Sequence, residues 1–277
     1  MGITMAGLGV GGIITPYITQ KLISAYDWRW ACVALGLLTL IIIIPVAQFL
    51  KHSPQQAGLK PYGEGEIIEG NQSPSSFMKG FSLRQAIRTR GLWFFGLVQT
   101  FGLFYTSTVM VHIVPHASDI GIPEVSAAVI LSFIAGIAVI GRLIIGFVSD
   151  KVGGKKALTV CLILIILSVV WLLFAEEIWM FYVFAVIFGF ANGGFTTLFP
   201  LVTAELFGLA SLGAIIGGFV IFATLGEALG APVSGTIFDI TGSYRLAFLT
   251  CIGTSTVAVI ISVVLLRYKG KTGMARE

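Results

Sequence analysis

Charge is what this 277-residue chain has least of. Asp, Glu, Lys and Arg make up 11% of it, where a soluble globular domain carries about a quarter. A chain so poor in charge cannot dress a water-facing surface, which excludes an ordinary soluble domain. Cysteine is also scarce. Cys32, Cys161 and Cys251 are odd in number and scattered through apolar stretches, so they form neither a disulfide framework nor a metal spacing and are read as small packing residues. There is no G-x-x-x-x-G-K-[ST] run to cradle a nucleotide. No Ser/His/Asp set or zinc signature supports an enzyme, and no cofactor is implied. The pI near 9.0 raises nucleic acid as a partner. The basic residues do not interleave with aromatics on a soluble face, which argues against it.

What fills the chain instead is oil. Apolar residues make up 56% of it, and the mean hydropathy is +0.97. Continuous apolar runs recur, each long enough to cross a hydrocarbon core of about 30 Å as a helix. Backbone groups cannot stay unpaired in lipid, and the runs do not alternate, so the spans are helices rather than barrel strands. The 34 glycines against nine prolines suit close helix contacts. The expected fold is all-α, a polytopic membrane helix bundle with eight spans at 2–24, 30–50, 92–116, 125–148, 157–175, 178–204, 212–237 and 246–266. Between the second and third lies a linker, 51–91, rich in Pro, Ser, Gly and mixed charge, which reads as a flexible connector ending in a short amphipathic piece, Leu83–Thr89. Met1–Thr15 has no basic leader, so no signal peptide is expected.

Lysine and arginine set the orientation. Lys51, Lys60, Lys79, Arg84, Arg88, Arg90, Lys151, Lys155, Lys156, Arg267, Lys269, Lys271 and Arg276 fall on one side of the spans, against Lys21, Arg29 and Arg245 on the other. That bias puts the linker and both termini in the cytoplasm, with the protein in the plasma (inner) membrane. An internal repeat accompanies it. Pro16, Arg29 and Ala31 recur 216 residues later as Pro232, Arg245 and Ala247, with Gly2 matching Gly218. The first helix pair therefore resembles the last, as in transporters built from repeated halves.

A few polar residues lie inside the oily runs. Arg142 sits eight residues before Asp150 at the rim, hence about 12 Å inside a core about 30 Å thick. A charge at that depth faces a cavity or a partner and marks a ligand path, and a planar guanidinium suits a carboxylate. A packing ion pair is the alternative. Glu227 is the one acid within a span, twelve residues before Asp239, roughly 18 Å from that rim. It reads as a proton carrier or a gate pairing with Arg142, or as half of a permanent structural pair. His112 and His116, four apart, could ligate metal, but nothing on their helix completes a site, so no metal is expected. Proton coupling through His112 and polar packing remain open. Pro115 between them is expected to kink or end the helix. Asn192 and Thr196, beside Gly193 and Gly194, are candidates to line a cavity or to pack.

The stretch Gly141–Leu158, GRLIIGFVSDKVGGKKAL, joins two spans through a tight charged turn. It resembles the signature loop of the major facilitator superfamily, G-x-x-x-D-[RK]-x-G-x-[RK], at Gly146, Asp150, Lys151, Gly153 and Lys155. Gly154 stands where that family usually has a second basic residue. Together with Glu205, this rim cluster is read as a cytoplasmic gate. VHIVPHASDIGI (Val111–Ile122), GRLIIG (Gly141–Gly146), AELFG (Ala204–Gly208) and FDITGSYRLAF (Phe238–Phe248) are similar to the monocarboxylate porter and oxalate/formate antiporter branches. The resemblance implies that the spans are helices five to twelve of a twelve-helix fold, with four helices expected ahead of Met1. Residues 1–50 would then close the first half and 92–277 form the second. It also implies that Arg142 engages the substrate carboxylate. Some relatives carry an aspartate where this chain has Ala138, and the oxalate antiporter uses a lysine in a span that has none here (212–237), which favours a singly charged anion. The expected protein is a monomeric secondary carrier moving a small organic anion by proton symport or exchange. A drug or sugar carrier and a non-transporting membrane sensor or scaffold are the alternatives.

Overall fold

The computed structural model describes residues 18–19, 22–23, 26–49 and 80–267. They form α1 (Trp28–Phe49), α2 (Leu83–Ile87), α3 (Arg90–Asp119), α4 (Glu124–Val152), α5 (Gly154–Leu172), α6 (Ile178–Phe207), α7 (Leu212–Thr241) and α8 (Arg245–Arg267). Helix α1 belongs to one compact unit and α2–α8 to another. Seven of these helices, all but α2, are long and apolar enough to cross a membrane. The protein is thus an all-α polytopic membrane helix bundle. The span expected at 2–24 lies outside the described residues except at 18–19 and 22–23, as does the linker before Gly80.

The helices outrun the expected spans. Helix α3 begins at Arg90 and ends at Asp119, α6 reaches Phe207 and α7 reaches Thr241. Hydropathy locates the oily part of a helix, and the hydrogen-bond ladder continues beyond it into the polar boundary. Helix α3 also passes through Pro115, so that residue does not end it. A proline forfeits one N–H bond to the carbonyl four residues back, and near the end of a helix little ladder remains to lose. Thr89 caps the start of α3 by accepting from the Leu92 N–H at 3.4 Å. Ser82 and Gln85 form a reciprocal capping box on α2, which explains how so short a helix persists.

Glycine lets the helices come close on two seams of the larger unit. On the α4–α6 seam, a Cβ on Gly193 would strike the Ala138 carbonyl, one on Gly189 the Ile134 carbonyl, and one on Gly141 the Phe190 carbonyl. On the α3–α7 seam, Gly226 and Gly230 lie against the Thr100 and Phe104 carbonyls. Hydroxyls lace this second seam. Thr100 donates to the Phe222 carbonyl at 3.0 Å, Ser107 to the Glu227 carbonyl at 2.9 Å, and Thr108 to the Gly230 carbonyl at 3.0 Å. In lipid there is no water to compete for such bonds, and small residues let the backbones come close enough to make them. Fully buried Phe95, Phe184, Phe188, Phe195 and Phe219 fill the space between the seams.

Of the residues in the expected repeat, Gly2 and Pro16 lie outside the described residues. Arg29 lies in the first turn of α1 and Arg245 opens α8. The alanine two residues on is buried in each case, Ala31 at 1% exposure and Ala247 at 0%.

Candidate functional site

Arg142 projects from α4, ten residues short of its end at Val152, about 15 Å along the axis. Its side chain is half-buried. Its Nε and Nη1 are shut away from solvent, with no hydrogen-bond partner among the described residues. A guanidinium has five N–H donors and no means of shedding its charge in a protein. Leaving donors unmet inside a bundle is costly.

Glu227 does not supply it. Its side chain is exposed on α7, and among the described residues the ion pair formed is Arg29 with Asp27, not Arg142 with Glu227. The main-chain carbonyl of Glu227 accepts from Ser107, so the helix is fixed at that point while the carboxylate is left to the surface.

Asn192 is buried at 6% exposure. Its side-chain oxygen lies 3.0 Å from the Thr106 hydroxyl of α3, and that hydroxyl is also 3.0 Å from the Gly102 carbonyl. One hydroxyl proton serves one acceptor fully, so Asn192 and the Gly102 carbonyl share a contested donor. Asn192 precedes Gly193, whose contact is Ala138, one turn from Arg142. Thr196 is half-buried and donates to the Gly193 carbonyl at 3.0 Å, so its hydroxyl must rotate before it can donate to an anion. Thr106 was not singled out from sequence. The signal was there: Thr106, Ser107 and Thr108 are three consecutive hydroxyls in an apolar run.

The two histidines do not converge. His112 is buried, and its Nε2 lies 2.9 Å from the Ala231 carbonyl. A carbonyl only accepts, so Nε2 is the donor in that contact. The His116 ring is wrapped by Phe248 at 4.9 Å, Phe181 at 5.7 Å and Tyr244 at 5.7 Å. Tyr244 also packs on His112 at 5.2 Å. Burial pushes the Tyr244 phenol up, and the Asp119 and Asp239 carboxylates push it further, so it stays neutral at physiological pH. Among the described residues no group of three or more His, Cys, Asp or Glu is placed to hold a metal ion.

At the opposite end, a single residue joins α4 to α5. Gly153 has φ 88° and ψ 143°, a conformation open in practice only to glycine. The Glu205 carboxylate of α6 accepts the Gly154 N–H at 2.6 Å, capping α5 from a neighbouring helix where the helix dipole favours negative charge. Lys155 is half-buried and feels the Glu205 carboxylate. Asp150 is exposed, and Lys151 lies over the Phe147 ring at 5.6 Å. Ser149 donates to the Gly146 carbonyl at 2.7 Å. Replacing Gly153 by alanine is expected to cost about 1–3 kcal/mol, seen as a lower thermal midpoint in detergent. An unchanged midpoint would mean that the turn is not confined to this conformation.

The sequence profile of the Major Facilitator Superfamily matches residues 1–176 and 118–275. Over 270 residues the chain is 27% identical to Monocarboxylate transporter 12 of Homo sapiens, an alignment covering 90% of this chain and 52% of that protein. It is 29% identical over 254 residues to Monocarboxylate transporter 13 of Rattus norvegicus, covering 90% of this chain and 55% of that one. An MFS-type transporter of Gibberella moniliformis is 26% identical over 254 residues, with 87% and 54% covered. The chain thus spans about half the length of the curated relatives it matches. Its fold is similar to that of the Major Facilitator Superfamily transporter FucP in the outward conformation, with TM-score 0.62, 18% identity, and coverage of 88% of this chain and 57% of that one. With the profile running along nearly the whole sequence and the membrane-length helices arranged as in that fold, this chain belongs to the Major Facilitator Superfamily.

Proposed function

We propose that the protein is a secondary active transporter that moves a small organic anion, a monocarboxylate, by alternating access, with proton symport or anion exchange supplying the drive. The observation that carries this is Arg142, a guanidinium far from either helix end whose Nε and Nη1 are buried and unpartnered. A carboxylate offers two acceptors in the plane of that fork. The names of the relatives at 27% and 29% identity point to the same substrate class. In this scheme Asn192 and Thr196 border the bound anion, while Glu227 and His112 handle the proton. Gly146, Asp150, Lys151, Gly153, Lys155 and Glu205 form the cytoplasmic gate. Residues 1–50 close one half, 51–91 connect, and 92–277 form the other half. The protein works as a monomer in the plasma membrane, with linker and termini in the cytoplasm.

Counterflow of labelled lactate in proteoliposomes tests the substrate class. Unlabelled monocarboxylates are expected to compete at least about tenfold better than oxalate, fucose or organic cations, a difference of ~1.4 kcal/mol. Better competition by a sugar or a cation would replace the proposed cargo.

A further inference from the structure

A pocket lies at the other end of the bundle from Gly153, where α3 and α5 end and α8 begins. Its volume is about 490 Å³. Arg245 and Ser243 line it from the start of α8, and Glu176 lines it from the turn after α5. Leu173, Phe174 and Phe248 supply apolar wall. Phe174 is 64% exposed, an aromatic ring placed where a bundle meets the membrane boundary.

The charges are what single this pocket out. Arg245 and Glu176 border the same hollow, yet among the described residues neither belongs to an ion pair. Opposite charges sharing a cavity without meeting leave room for a molecule that carries both signs. The Ser243 hydroxyl accepts from the Arg245 N–H at 3.2 Å, which leaves its own proton to donate. We infer that this pocket binds a phosphoethanolamine zwitterion, with the phosphate at Arg245 and Ser243 and the ammonium at Glu176. The apolar wall takes the first part of an acyl chain when the zwitterion is a phospholipid headgroup. The site is separate from Arg142 and does not depend on what the protein transports.

The purified chain in detergent, examined by native mass spectrometry with added phosphatidylethanolamine or phosphatidylglycerol, tests this. The parent should retain phosphatidylethanolamine in preference to phosphatidylglycerol, which has the phosphate without the ammonium. Arg245→Gln should weaken both lipids about tenfold, as loss of a charge-assisted hydrogen bond does. Glu176→Gln should weaken phosphatidylethanolamine alone and so remove the preference. Glu176 is exposed in a turn, so that variant decides the matter even if Arg245→Gln fails to fold. Excess glycerophosphoethanolamine separates the two sources of the headgroup. Displacement of the lipid shows that the free zwitterion suffices, and persistence of the lipid shows that the chains are needed. Equal retention of both lipids by the parent, or unchanged retention by Glu176→Gln, would overturn the assignment.

Discussion

Arg142→Ala is expected to lower monocarboxylate uptake by between about thirtyfold and several thousandfold, the range set by ~2–5 kcal/mol for truncating one partner of a buried, hydrogen-bonded charge pair. The same substitution should leave the bundle as stable as before, or more so. Among the described residues Nε and Nη1 find no partner, so removing them is expected to relieve a desolvated charge instead of breaking a contact. That opposite movement of two readouts, uptake down and thermal midpoint level or up, separates a ligand site from a packing residue. Arg142→Lys keeps the charge and loses the planar fork, and should fall between alanine and the parent. Normal uptake by Arg142→Ala, with protein level in the membrane unchanged, would take Arg142 out of the site.

Gly193→Val is expected to destabilise the folded protein strongly. Its side chain would drive into the Ala138 carbonyl across the α4–α6 seam. Both sides of that contact are main chain, so nothing yields unless the helices part. The cost is expected at the top of the range for overpacking, about 3 kcal/mol or more, against a total stability on the order of 5–15 kcal/mol. Gly136 is the internal control: it lies on α4, and a Cβ there meets nothing within 4 Å. Fluorescence-detected size exclusion after a series of heating steps should show Gly136→Val losing its folded peak at the parent's temperature and Gly193→Val at a clearly lower one. Matching profiles for the two variants would mean that the seam is looser than described.

The spans were legible because an oily run of about 20 residues has few other fates. The depth of Arg142 was legible for the same reason, since counting residues to a charged rim measures distance along a helix. What sequence could not show is which helices meet. Asn192 reaches Thr106 across 86 residues, and Glu205 reaches Gly154 across 51. Periodicity within a helix says nothing about such partners. Arg142 and Glu227 show the converse: both lie deep in their spans, yet depth alone does not make them neighbours.

One small attachment bears on how the connector tolerates change. Gly80 pairs main chain to main chain with Gly208, and the next residue, Phe81, donates its N–H to the Phe207 carbonyl at 2.8 Å. Stitches of this kind are blind to side-chain identity, with one exception. Any Cβ at Gly80 would come within 2.9 Å of the Ala210 nitrogen and the Phe207 oxygen. Compositional drift just before α2 therefore meets a hard stop at one residue.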